Sequence, residues 1–352
     1  MDLLPPEHSF VSDNAAGAHP AVLDALVRAN VGDATPYGGD RWTAAAVARI
    51  RDLLGAPGAE VLFTYGGTGA NVAALQAAVD PFEAVITAST GHVHTDECGA
   101  FERFTGSKIL DVPTADGKLT PELIAPLLNP LNGEHNVQPA VIAISQATEL
   151  GTVYSLEEIK ALADLAHAYG MLLFLDGARI ANAAAALDCS LQDLAGHVDI
   201  LTLGGTKNGM LYGEAMVVLR PELIRRARFA RKQFGQLASK MRFIAAQFDA
   251  LLSDNLWLHN AQHANRMAAR LADGIRDLPG VELMQAPQTN SVFARLPAEA
   301  VAPLQQWSPF LKWGAGVRWM TSFATTEQDV DRFLAGVAQT VQCADFATAG
   351  VL

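Results

Sequence analysis

The chain has 352 residues, half of them hydrophobic, with 37 acidic and 25 basic side chains and a net charge of −12. That length supports a large core and more than one domain, and the negative surplus repels phosphate backbones, which argues against a nucleic-acid partner. The opening "MDLLPPEHSF" lacks a basic n-region before an apolar run, no apolar stretch reaches membrane-span length, and Cys98, Cys189 and Cys343 are scattered like reduced thiols, so a cytoplasmic protein without a membrane partner is expected.

In chain order, "EVLFTYGG" (60–67), "EAVITAS" (83–89), "AVIAIS" (140–145), "MLLFLDGA" (171–178) and "DILTLGG" (199–205) read as strands. Their near-continuous hydrophobicity, without polar alternation, predicts a parallel sheet covered on both faces. Between them, "TGANVAALQAAV" (68–79) and "SLEEIKALADLAHAYG" (155–170) read as helices, the second with Ser155 and Glu158 at capping-box spacing and Gly170 at its stop. Strand and helix in alternation predict an α/β domain. After about residue 220 the pattern changes. Residues 221–252 read as a long basic helix, with a break near Gly235, feeding an apolar one, and 257–280 as another ending in Pro-Gly. Short strands "VELMQ", "SVFARL" and "GVRWMTSF" follow, then a terminal helix over 327–341. The expected organisation is a large domain over 12–240 and a smaller α+β domain over 241–352, with the segment 1–11 packing near the latter.

Ligands of an open parallel sheet bind outside the carboxyl ends of its strands, and the unusual residues fall there. Gly67, Thr68 and Gly69 follow a strand and open a helix, an arrangement that suits a phosphate and equally a plain tight turn. Asp176 closes an apolar strand with Arg179 three residues on. A carboxylate at that depth needs a cationic partner, and a structural ion pair between the two would supply it. Lys207 ends another strand among Gly204, Gly205 and Gly209, either as a surface-loop lysine or as a desolvated amine nucleophile. Together the three describe a site for pyridoxal 5'-phosphate (PLP), with the lysine as Schiff-base former, the aspartate on the pyridine nitrogen and the helix terminus on the phosphate. A nucleotide-binding dehydrogenase or a non-enzymatic binding protein ranks lower, because "TYGGTGAN" misses the G-x-G-x-x-G spacing. The nine histidines show no metal-ligand spacing, so no metal is expected.

The segments "SDNAAGAHP" (12–20), "YGGD" (37–40), "GTGAN" (67–71), "HTDECGAF" (94–101), "DGAR" (176–179), "GGTKNGM" (204–210) and "GQLASKMRF" (235–243) together resemble the low-specificity threonine aldolases, PLP enzymes of the aspartate-aminotransferase fold type. The resemblance runs from about residue 10 to the C-terminal helix. It implies a mostly parallel seven-stranded sheet between helices, a smaller C-terminal α+β domain, and a homo-oligomer (a dimer of dimers, hence a homotetramer) with shared active sites. It implies a lyase that splits L-threonine, L-allo-threonine and related β-hydroxy-α-amino acids into glycine and an aldehyde. Another PLP reaction on the same fold, β-elimination or amino-acid racemisation, stays open. By the resemblance Lys207 forms the Schiff base, Asp176 partners the pyridinium, Arg179 lies near cofactor and substrate, Gly67 and Thr68 contact the phosphate, and His92 stacks on the ring. Ser12 and Arg318 clamp the substrate carboxylate, while Tyr37 and the basic stretch around Lys232, Lys240 and Arg242 reach a neighbouring site. One departure stands out. Where better-known members carry Thr-His-Asn-Gly, with a histidine that approaches the substrate β-hydroxyl, this chain reads "SQATELGTVY" (145–154), with no histidine. The remaining acid/base candidates are His92, His94 and Glu97.

Overall fold

The computed structural model describes residues 3–128 and 133–349. Its backbone contacts group Ala18–Trp257 into one unit, and the segment up to Gly17 with the chain from Leu258 onward into another.

The larger unit is built on strands β1 (Glu60–Thr64), β2 (Glu83–Ala88), β3 (Lys108–Val112), β4 (Gln138–Ser145), β5 (Leu172–Gly177), β6 (Ile200–Gly204) and β7 (Glu214–Val218). They form one sheet in the order β1-β7-β6-β5-β4-β2-β3. All neighbours run parallel except β7, which is antiparallel to both β1 and β6. The continuous apolar runs bury both faces, as with Val141–Ile144 and Leu173–Leu175, which is what a parallel sheet between helices requires. The five apolar runs form β1, β2, β4, β5 and β6. The other two strands are β3, an edge strand with Lys108 and Asp111 exposed, and β7, whose apolar Ala215–Val218 is buried and pairs antiparallel with β6. Helices α1 (Pro20–Ala29), α2 (Arg41–Leu53) and α3 (Gly67–Ala78) complete the layers with those further along the chain. Helix α3 is alanine-rich and buried almost all round, so it lies inside the unit rather than on its surface. The capping box of Ser155 and Glu158 is present and opens the helix Leu156–Ala168.

The break expected near Gly235 within 221–252 is present, with a basic helix before it and a more apolar one after it. Ile224–Gln233 ends where Gly235 adopts φ +70°, and Arg242–Leu252 starts after a non-helical connection whose Ser239 carbonyl accepts from the Tyr37 N–H at 2.9 Å. The second of these packs against α1 and α2, so the division by contacts falls after Trp257, whereas the sequence expectation places it at 240/241.

The smaller unit holds an antiparallel sheet of β8 (Glu282–Leu283), β9 (Ser291–Arg295), β10 (Leu311–Trp313) and β11 (Gly316–Met320), in the order β10-β11-β9-β8. Its core is aromatic: Phe333 lies 4.3 Å from Phe10 and 5.1 Å from Trp319 between ring centroids. The N-terminal segment joins this core, with the Met320 N–H donating to the Phe10 carbonyl (2.9 Å) and the Glu7 N–H to Asp329 Oδ1 (2.7 Å). The terminal helix runs over Glu327–Ala349, longer than expected. Among the described residues no helix is long and apolar enough to cross a membrane.

Candidate active site

The carboxyl ends of β1, β4, β5 and β6 and the start of β7 share one edge of the larger sheet, because the register sets Ser145 beside Asp176, Asp176 beside Thr202, and Glu214 beside both Gly204 and Thr64. Asp176 is buried at 9% exposure. Its Oδ2 accepts from Asn71 Nδ2 at 2.8 Å and its Oδ1 from the Ala178 N–H at 3.0 Å. Asn71 comes from the buried face of α3 and is the hub of the cluster. The same Nδ2 donates to Glu97 Oε1 (2.9 Å), and its Oδ1 accepts from the Thr202 hydroxyl (3.1 Å). One amide thereby spaces two buried carboxylates, each of which keeps a charge-assisted donor.

Glu97 Oε1 also faces His92 Nδ1 at 3.0 Å, so the ring N–H donates to the carboxylate and fixes the imidazole plane. That hydrogen bond, aided by the charges of Asp176 and Glu97, raises the His92 pKa against the opposing effects of burial and Lys207. The backbone N–H of His92 donates to Glu149 Oε1 (2.8 Å), which also accepts from the Ser145 hydroxyl (2.7 Å). Burial pushes the Glu149 carboxyl above its ordinary range, and the charge of Asp176 pushes the same way. The segment without the family histidine therefore delivers a carboxyl group to the same cluster.

Lys207 sits half-buried in the turn Thr206–Asn208 at the end of β6. The glycines before it answer to packing. A Cβ on Gly204 would stand 2.5 Å from the Ala178 carbonyl oxygen, and one on Gly177 would meet the Thr202 carbonyl, so the ends of β5 and β6 close on each other only without side chains. Behind the turn, Glu214 is buried at 7% exposure and its Oε2 accepts from the Gly205 N–H at 3.0 Å. Burial raises its pKa to about 7, with Lys207 pulling it back down. At the other end of the site, Gly66 and Gly67 precede and open α3, and a Cβ on either would meet nothing within 4 Å. The first-turn N–H groups have no partner within the helix and present a partial positive charge to that open space. Gln236 borders it, with Oε1 accepting from the Tyr65 N–H (3.0 Å) and its amide where a Cβ on Gly69 would be.

A family model for beta-eliminating lyases matches residues 9–299. The chain belongs to the beta-eliminating lyase family. A low-specificity L-threonine aldolase of Pseudomonas aeruginosa is 43% identical to this lyase over 329 residues, covering 92% of this chain and 94% of the relative. Its namesake from a Pseudomonas species is 40% identical, over 93% and 96% of the two chains. The structure of Leishmania major threonine aldolase superimposes with a TM-score of 0.89 at 37% identity, over 95% of this chain and 99% of that one.

The lyase is PLP-dependent, and its residues fit that cofactor. Asp176 already accepts two hydrogen bonds, yet a carboxylate has about four acceptor positions and so retains capacity for a pyridinium N–H. The glycine-opened end of α3 suits the phosphate, and Lys207 supplies the amine. The other expected residues are spread more widely. Arg179 is half-buried at the N-cap of the helix Ile180–Leu187, three residues beyond Asp176. His94 is exposed and faces Asp111 at 3.9 Å, away from the Glu97 cluster. Tyr37 is 54% exposed, with the Lys232 ammonium 5.5 Å from its ring centroid, and Arg242 donates to the Gly32 carbonyl (3.0 Å). Ser12 and Arg318 belong to the smaller unit. The Ser12 hydroxyl accepts from the Asn14 N–H, and the Arg318 guanidinium lies 4.8 Å from the Trp313 ring centroid.

Sequence reasoning missed Asn71, Glu149, Glu214 and Gln236. Two of them carry a readable signal. Asn71 is a polar residue in an otherwise apolar run of α3, and Glu214 is a carboxylate at the start of an apolar strand.

Proposed function

We propose that this lyase cleaves the Cα–Cβ bond of L-threonine, L-allo-threonine and related β-hydroxy-α-amino acids, releasing glycine and an aldehyde. The observation that carries the reading is the placement of Lys207 one strand over from an Asn71-held Asp176, in a chain 43% identical to a low-specificity L-threonine aldolase. Bound PLP supplies the electron sink for the carbanion left at Cα. Asp176 would hold the pyridine nitrogen protonated, His92, oriented by Glu97, would contact the cofactor ring, and Gly67, Thr68 and Gly69 would hold the phosphate. Arg318 and Ser12 would take the substrate carboxylate and so orient the bond that breaks. Glu149 receives the β-hydroxyl proton. A carboxyl raised toward neutrality is a better-matched base than one at its ordinary value. The same reading carries a cytoplasmic dimer of dimers, with Tyr37 and the basic stretch at Lys232, Lys240 and Arg242 turned to a neighbouring copy.

The test is incubation of the holoenzyme with L-threonine. Glycine and acetaldehyde in equal amounts are expected, whereas a 2-oxo acid with ammonia would mean β-elimination and loss of optical rotation alone would mean racemisation. Borohydride reduction followed by peptide mapping should place the adduct on Lys207.

A further inference from the structure

Glu214 has no part in the chemistry above, yet it is buried directly behind the lysine. Its Oε2 accepts from the Gly205 N–H at 3.0 Å, so the start of the turn that carries Lys207 is tied to this carboxylate. Thr206 is tied to the residue before Glu214, its hydroxyl accepting from the Gly213 N–H at 3.2 Å. The charged groups that act on Glu214 are Lys207 from the turn and Asp176 from β5. Beside it β1 places Thr64, whose hydroxyl donates to the Glu214 carbonyl, and the helix Arg242–Leu252 brings apolar Ile244 to Gly213. A neutral glutamine has the same shape and would serve the Gly205 N–H as well, so a purely architectural role does not require a carboxylate in a place where burial disfavours its charge.

We propose that Glu214 is a positioning residue for Lys207: it anchors the turn that carries the lysine, and its negative charge sets the pH at which the lysine nitrogen gives up its proton. The inference rests on Lys207 being the cofactor lysine. An anion close to a protonated nitrogen stabilises it, so the nitrogen releases its proton at a higher pH than it would beside a neutral group. At pH values above about 7 the Glu214 carboxylate is ionised and exerts that hold.

The experiment is a pH titration of the visible absorbance of the PLP-loaded protein, for wild type, Glu214→Gln and Glu214→Asp. Borohydride mapping on wild type comes first, and an adduct on another lysine overturns the functional reading itself. With the adduct on Lys207, Glu214→Gln should keep the cofactor and move the midpoint down by about one pH unit or more. Glu214→Asp should return it toward wild type. A Glu214→Gln midpoint within about 0.3 unit of wild type, with the cofactor still on Lys207, overturns the proposal. If Glu214→Gln does not hold the cofactor, Glu214→Asp decides: cofactor retained with a wild-type midpoint supports the proposal, and cofactor lost or the midpoint displaced overturns it.

Discussion

Replacing Asn71 by Asp exchanges the amide nitrogen for an oxygen between two buried carboxylates, at 2.9 Å from Glu97 Oε1 and 2.8 Å from Asp176 Oδ2. With an effective dielectric of about 20, two like unit charges at that separation repel by about 6 kcal/mol, so two such contacts together cost about 12. Protonating one carboxyl is cheaper. From an ordinary aspartate pKa of about 3.9, holding the proton costs about 6 kcal/mol at pH 8 and about 1.5 kcal/mol at pH 5. The folded protein therefore takes up the proton, and the acid O–H restores one of the two lost donations. The sign follows from linkage. The carboxyl cluster titrates above its unfolded value, so stability is kept at low pH and lost as pH rises. Asn71→Asp should unfold about 1–2 kcal/mol more easily than wild type at pH 5 and about 6 kcal/mol more easily at pH 8. Urea denaturation of cofactor-free protein at the two pH values measures this without a contribution from cofactor release. A loss equal at pH 5 and pH 8 to within about 1 kcal/mol would refute the reasoning, because a proton would then not be replacing the amide.

Glu149→Gln should lower kcat on L-threonine by about 100-fold or more with KM nearly unchanged, since the amide keeps the shape but cannot accept the hydroxyl proton; steady-state kinetics with kcat near wild type would remove Glu149 from the mechanism. Arg318→Ala should reduce kcat/KM on L-threonine about 100-fold, the loss of one charge-assisted carboxylate contact, and an unchanged kcat/KM would sink the clamp assignment. Gly204→Ala drives a methyl toward the Ala178 carbonyl oxygen and should destabilise by about 1–3 kcal/mol, read as a lower urea midpoint. A neutral result there would mean that β5 and β6 can part at their ends without cost.

Several site residues are legible in the amino-acid sequence because each breaks a local pattern. Asp176 and Lys207 are polar groups that end apolar strands, Gly67 to Gly69 open a helix, and Ser155 with Glu158 announces a helix start that the fold contains. Strand β3 is a short edge strand whose apolar residues are interrupted by the exposed Lys108 and Asp111, whereas β7 does carry an apolar run, Ala215–Val218, that sequence reasoning passed over. What tertiary structure alone decided is which of these groups meet. Asn71 reaches Asp176 across 105 residues and Glu97 across 26, and Glu149 comes to His92 across 57. Glu214 lies behind Lys207 because β7 runs back along β6 in a register that pairs it with Gly204. A sequence carries periodicity and local solvation preference within a turn or two of chain. Contact between distant side chains depends on the order and register of the strands, which the burial of the whole sheet selects.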